Sequence, residues 1–270
     1  MATEAEAIPQ AERFEVDIDP ALVIAAYPRH RRRFAEWAAS LDGPALATRT
    51  RCTEWTVADL LRHLSDVDGW LHTIWAGELP FASFDPRVTP HNSVVESRSL
   101  SDAEVRDRYI VSATEMAAEV ELSQPDRWAL PSVSVMGAVP WWLGLVHAFW
   151  DSWVHERDAL IPLGCDVVVV PEEIAAVLPH SLALAALVSP SPIDAVVCGY
   201  EVSSCERTST ITQVGDGAPP SGVPMLNGDP PTVVDAISGR GSLEDALTGD
   251  PEVVHRLGSF ARFLAAPAQE

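Results

Sequence analysis

Between Phe149 and Asp158 the chain reads FWDSWVHERD, and this stretch constrains the fold most because it sets Asp151 and His155 four residues apart. Residues four apart share one face of an α-helix, so a carboxylate and an imidazole stand one turn from each other. His147 extends that polar stripe by a turn, and Asp158 lies beside it. The opposite side carries Trp142, Leu145, Val146, Phe149, Trp150 and Trp153. Taken alone, the stripe is a solvated helix face with a charge pair. It becomes a site if the aromatic side packs on other parts of the protein while the polar side looks into a cavity between helices, where bundle proteins build metal centres. An imidazole and a carboxylate suit Zn²⁺ or a similar divalent metal, which needs at least one further ligand. His63, within EWTVADLLRHL, is the donor this chain offers. Its plainer reading is a core-edge histidine bonded to backbone.

The hydrophobic periodicity predicts four helices ahead of residue 164. Leu22, Val23, Ala26, Phe34, Trp37 and Ala38 trace an amphipathic helix over 20–41, with Pro28 a point for a kink or a late start. The basic run Arg29 to Arg33 on it reads as a solvated face. Thr56 caps a second helix with Asp59 at the capping-box position, and Val57, Leu60, Leu61, Leu64, Leu71 and Trp75 recur at helical spacing. Trp55, Trp70 and Trp75 are expected to pack, and His72 to lie on the surface. Ser101 and Glu104 form a better capping box for a third helix through Tyr109, Ala113, Met116 and Val120. A fourth runs from about Pro140 to Leu160. Proline-rich connections, Pro80 to Pro90 and Pro125 to Pro140, join them and are long enough to cover a site.

After Pro162-Leu163-Gly164 the texture changes. A short Ala/Leu-rich helix near 172–188 precedes β-type runs around Ala195–Val202 and Thr208–Val214. Val233 to Ile237 fits a helix ended by Gly239, and Asp250-Pro251-Glu252 starts a final helix through Leu257, Phe260 and Leu264. The expected fold is α+β, a four-helix bundle over 18–164 followed by a smaller domain over 165–268. There is no internal repeat.

The 270 residues suffice for a sizeable core. Thirty-nine acidic against 18 basic residues give a net charge of -21, which repels nucleic-acid phosphates and anionic membrane surfaces. The N-terminal residues lack a basic stretch followed by an apolar one, and no segment offers about 18 uninterrupted apolar residues, so a cytoplasmic protein is expected. Cys52, Cys165, Cys198 and Cys205 form no C-x-x-C pair, which argues for reduced thiols. Cys52 reads as a structural thiol rather than a nucleophile.

The segments CTEWTVADLLRHLSDVDGWL and DSWVHERDALIPLG resemble the two signature segments of the mycothiol-dependent maleylpyruvate isomerase family, within the wider DinB-like metal-binding bundles. That resemblance implies zinc held by His63, Asp151 and His155, although the family's isomerase carries Glu where this chain has Asp151. DAISGRGSLEDALTGDPEVVHRL is similar to the family's sterol-carrier-protein-like second domain, whose Gly-Arg element falls on Gly239 and Arg240. Arg240 is thereby a catalytic or anion-binding candidate, and guanidinium does hold carboxylates bidentately. A surface turn residue is its plainer reading.

Three protein ligands leave zinc an open position, and a thiol entering it is deprotonated near neutral pH. The resemblance supplies that thiol as mycothiol, a low-molecular-weight thiol of actinobacteria. The expected function is therefore a zinc-dependent enzyme that uses mycothiol for addition to, isomerisation of, or transfer onto an electrophilic small molecule. His147 or Asp158 could orient ligands or relay protons beside the metal. A metal-dependent hydrolase and a non-catalytic small-molecule-binding or regulatory protein on the same fold stay open. Substrate identity and oligomeric state are not legible.

Overall fold

The computed structural model describes residues 14–76, 85–134, 137–205, 208–215 and 221–266. Its first part is helical: α1 (Pro20–Ala39), α2 (Gly43–Leu46), α3 (Val57–Trp75), α4 (Thr89–Glu96), α5 (Asp102–Glu121), α6 (Pro125–Trp128) and α7 (Trp141–Leu160). Strand β1 (Phe14–Val16) precedes them, and the hairpin β2 (Pro131–Ser134) and β3 (Gly137–Pro140) leads into α7. The second part holds α8 (Pro171–Val188), β4 (Asp194–Val197), β5 (Tyr200–Cys205), β6 (Thr208–Gln213), β7 (Met225–Gly228), α9 (Pro230–Ile237), α10 (Leu243–Ala246), β8 (Leu247–Thr248), α11 (Pro251–Leu257) and α12 (Ser259–Ala265). The fold is α+β, as the sequence pattern predicts.

The long helices begin where the capping chemistry says they should. Thr56 Oγ1 accepts from the Asp59 amide while the Asp59 carboxylate accepts from the Thr56 amide, and Ser101 and Glu104 close the same reciprocal box on α5. Asp19 caps α1 through the Ala21 amide, with Pro20 in the first turn, where its missing N–H costs nothing. Pro28 sits inside α1 without ending it. The second proline-rich connection is structured as α6 with the hairpin, and the first runs into α4 at Thr89; its residues 80–84 lie outside the described residues.

Helices α1 and α3 both pack on α5, and α7 closes against α1 and α3. Phe34, Leu60, Leu61, Leu64, Tyr109 and Ala113 fill the apolar space between α1, α3 and α5. A second, larger apolar cluster runs from Tyr27 and Phe149 through α8 into the sheet and the C-terminal helices. The helix expected to be short is 18 residues long and lies between bundle and sheet, packed on α1, α7, α9 and α12. It is long and apolar enough to cross a membrane, yet 67% of it is buried inside the fold. The sheet order is β1-β6-β5-β4-β7-β8, with β1–β6 and β4–β7 parallel and the other pairs antiparallel. Residues ahead of the bundle thus complete the sheet of the second part. The final helix expected from Asp250 breaks at Gly258 into α11 and α12.

The basic run of α1 is solvated only in part: Arg29 is exposed and Arg32 pairs with Glu121 at the surface, while His30, Arg31 and Arg33 turn inward. Arg31 is 1% exposed and donates to the carboxylate of Asp68 on α3 and to Ser152 on α7, with its guanidinium 5.2 Å from the Tyr109 ring centre. Burial raises the Asp68 carboxyl above its ordinary value, against the pull of Arg31. His30 is buried beside it, and Arg33 donates to both Glu156 of α7 and Glu173 of α8. The run reads as wholly solvated only while α7 and α8 are ignored. Their carboxylates turn it into a polar seam joining three helices.

Removing one partner of a closed ion pair leaves a charge without compensation, so Asp68→Ala should destabilise the protein by about 3–5 kcal/mol in urea unfolding at neutral pH. The double variant Arg31→Met/Asp68→Leu should recover most of that loss. At Glu173, burial works to raise the carboxyl, but His30 and Arg33 outweigh it and hold it near about 2 against an ordinary 4.5. A lowered folded-state value contributes stability above the ordinary value and loses it as pH falls between the two. Urea midpoints followed from pH 5 to 2.5 should therefore fall less steeply in Glu173→Gln than in the parent protein.

Candidate metal centre

His63 projects from α3, and Asp151 and His155 from α7, into one end of a cavity of about 580 Å³. His63 Nε2 stands 3.2 Å from Asp151 Oδ2, and His155 Nε2 stands 3.4 Å from Asp151 Oδ1. The two imidazole rings meet edge to face with centres 5.0 Å apart. One ligand atom from each of the three residues lies within 4.8 Å of the others. The three residues named from sequence are brought together.

The donor set fits a divalent cation. Bonds of about 2.0–2.1 Å in a tetrahedral zinc site place neighbouring ligand atoms about 3.3 Å apart, the spacing that Asp151 keeps to both imidazoles. Asp151 spans both histidines although it is one methylene shorter than Glu. His63 Nδ1 is buried with no partner among the described residues, whereas His155 Nδ1 donates to Asp158 Oδ2 at 3.0 Å. That bond fixes the His155 tautomer and turns the Nε2 lone pair toward Asp151, the outer support that ligating histidines receive. The electrostatics point the same way. Burial works to raise Asp151, but His63 and His155 outweigh it and hold the carboxyl well below its ordinary value. Burial works to lower His155, but Asp151 leads the groups that hold it well above. A cation bound there would compete with the proton for His155 Nε2.

Asp158 is fully buried and organises the floor of the site. Besides His155 it accepts from Arg51 Nε at 2.9 Å, from Arg240 Nε at 3.2 Å and Nη2 at 2.8 Å, and from Cys52 Sγ at 3.2 Å. Burial works to raise its carboxyl, but His155 and Arg240 outweigh it and hold it low. Arg240 follows Gly239, whose φ of 81° is a left-handed turn that glycine takes without strain. Asp235 of α9 anchors that turn: its carboxylate accepts from Arg51 and Arg157, and its carbonyl accepts from the Arg240 amide at 2.8 Å. Arg240 thus reaches the bundle site from the second part of the chain. Its guanidinium also donates to the Ser238 carbonyl and to Cys52 Sγ at 3.0 Å, which leaves it little donor capacity for a ligand.

Several contacts around the cavity escape a sequence reading. Cys52 arrives on the loop before α3, where the Arg51 amide donates to the Asp158 carbonyl and Arg49 bridges to Thr56. Trp55, expected to pack, instead stands 5.1 Å from the His63 ring and 5.9 Å from the His155 ring and lines the cavity with Trp70. His147 lines it one turn from Asp151 and bonds His180 of α8 at 3.0 Å. No spacing in the sequence links 147 with 180. The aromatic side of α7 finds partners on both sides, Phe149 on Tyr27 and Trp150 on Phe260. A further buried group, His30, Glu156 and Glu173, already holds the Arg33 guanidinium and offers a cation no room.

Residues 27–160 match the family described as the mycothiol maleylpyruvate isomerase N-terminal domain. Two solved structures resemble the chain, that of the mycothiol-dependent maleylpyruvate isomerase and that of a mutant of it with a histidine changed to alanine. Each is 17% identical with a TM-score of 0.59, covering 87% of this chain and 94% of the other. At that identity the likeness establishes the shared fold. No curated protein matches the chain. From the geometry alone, Asp158→Asn should weaken Zn²⁺ binding about 10-fold or more, read by competition with a chromophoric chelator, because the partner of His155 loses its charge.

Proposed function

Residues 27–160 belong to the mycothiol maleylpyruvate isomerase N-terminal domain family, and on that premise we propose that this chain is a cytoplasmic enzyme in which His63, Asp151 and His155 hold one divalent metal ion, zinc by its donor set, and which uses mycothiol to add to, isomerise or transfer onto an electrophilic small molecule. The observation that carries this reading is the convergence of two imidazoles and one carboxylate at the end of a cavity large enough for substrate. A metal ion held there would favour the thiolate form of a bound thiol near neutral pH.

The chain's own residues do the rest. His63 and Asp151 supply ligand atoms from two helices whose spacing is set by the α3 and α7 packing. His155 is aimed by Asp158, whose carboxylate His155 and Arg240 keep ionised while Arg51 bonds its other edge. Arg240 thereby positions the carboxylate that positions the ligand, and its side toward the cavity puts positive charge beside the site. Trp55 and Trp70 pack their rings beside the His63 imidazole and line the cavity there. In such a low-dielectric pocket a polar contact acts more strongly than in water.

The test is metal analysis of the full chain purified without chelator, with both thiol consumption and mycothiol-dependent cis–trans isomerisation measured on a panel of α,β-unsaturated carbonyl compounds. About one zinc per chain is expected. His63→Ala, Asp151→Ala and His155→Ala should each lose both metal and turnover. A chain that takes up no divalent metal, or that consumes thiol equally well in all three variants, ends this reading.

A further inference from the structure

Away from the metal ligands the cavity changes character, with Leu184 and Leu187 of α8 and Phe260, Phe263 and Leu264 of α12 along its wall. The arginines that reach it are already matched. Arg240 is bonded to Asp158, and Arg87 pairs with Asp85 while its guanidinium rests 5.1 Å from the Phe263 ring centre. This compartment is therefore built for a largely uncharged, apolar body rather than for a carboxylate. Where it meets the metal end stands His147.

His147 and His180 share one hydrogen bond, His147 Nδ1 to His180 Nε2 at 3.0 Å, and His180 Nδ1 is buried with no partner among the described residues. Two arrangements of the protons satisfy that bond. If His147 donated, His180 would carry its proton on the buried Nδ1 and leave an N–H without an acceptor, the costlier kind of orphan. If His180 donates from Nε2, both rings take the Nε2–H tautomer, the form intrinsically favoured by the imidazole side chain, and only a bare lone pair is left inside. His147 Nε2 then carries a proton, makes no bond to a described residue and is not among the sealed atoms. Burial lowers His147 to about 4 and His180 well below its ordinary value, so the pair is uncharged at neutral pH.

We propose that His147, fixed by His180, is a neutral hydrogen-bond donor that binds a carbonyl-type oxygen of an apolar ligand lying along α8 and α12, one helical turn from the metal ligand Asp151. This rests on the reading of the cavity as the substrate site, and it deepens that reading: the substrate is an aryl or alkyl carbonyl compound, not a small polyanion. A neutral donor suits that oxygen because it polarises a carbonyl without placing an unpaired charge in an apolar compartment.

The probes are 4-phenylbutan-2-one, which has the apolar body and the oxygen but no reactive double bond, and butylbenzene, which lacks the oxygen. Affinities are read by tryptophan fluorescence and ligand-observed NMR on the full chain. Histidine tautomers are read by ¹⁵N NMR at neutral pH. His147→Phe should weaken the ketone about five- to tenfold, the share of one buried hydrogen bond, while leaving butylbenzene within about twofold. His147→Gln, which keeps an N–H donor, should retain most of the ketone affinity. The ¹⁵N spectrum should show both residues as neutral Nε2–H. Parallel loss of both probes, an unchanged ketone affinity in His147→Phe, no ketone binding by the parent protein, or a proton on His147 Nδ1 would each overturn the assignment. Neither metal content nor thiol turnover enters these measurements, so failure of the metal and thiol chemistry leaves their outcome intact.

Discussion

The carboxylate of Asp158 is the contact on which the rest of this molecule turns. It is wholly withdrawn from water, yet it answers to an imidazole, a thiol and two guanidinium groups that come from three separate stretches of chain. An isolated buried carboxylate would be neutralised by protonation rather than tolerated as an anion. Here His155 and Arg240 keep it charged, and in return it fixes where Arg240 and Arg51 point. Because Arg240 comes from beyond α9, the same few atoms that aim His155 also clamp the second part of the fold onto the bundle. Site geometry and the packing of the second part on the bundle are one interaction seen from two sides.

That economy shows in the choice of cation. All 18 basic residues are arginine. Arg33 spans Glu156 and Glu173, Arg157 and Arg51 share Asp235, and Arg31 lies between Asp68, Ser152 and a tyrosine ring. A planar fork can satisfy several acceptors from one position and stack on aromatics, which a compact ammonium cannot do as well. An acidic chain with carboxylates in its helical seams is held together by that property. The surplus negative charge sits elsewhere on the surface, where it aids solubility.

How much of this is legible in the residues depends on whether the cause is local. The caps at Thr56 and Ser101 and the four long helices are written in short stretches and stand where they are expected. The trio His63, Asp151 and His155 is legible in part because two of its members lie on one helix turn and the resemblance supplies the third. The run Arg29 to Arg33 misleads, since its partners Glu156 and Glu173 are contributed by helices more than a hundred residues away. Periodicity treats each helix as if water lay on its polar side. For α7, which is covered on nearly every side, that assumption fails, and so the functions of Cys52, Trp55 and His180 are invisible until α3, α7 and α8 are assembled.

Strand β1 carries a different implication. Phe14 to Val16 lie ahead of every bundle helix but lie parallel to β6 at the margin of the later sheet. The chain therefore fastens its two parts in both directions, Arg240 reaching back and β1 reaching forward. Cutting between them would strip an outer strand from one fragment and bare the hydrogen-bonding rim of β6, the kind of edge on which chains self-associate. A graft of the helical bundle together with the residues ahead of α1 would carry off a strand its donor cannot spare, so that stretch of the gene is not a self-contained cassette.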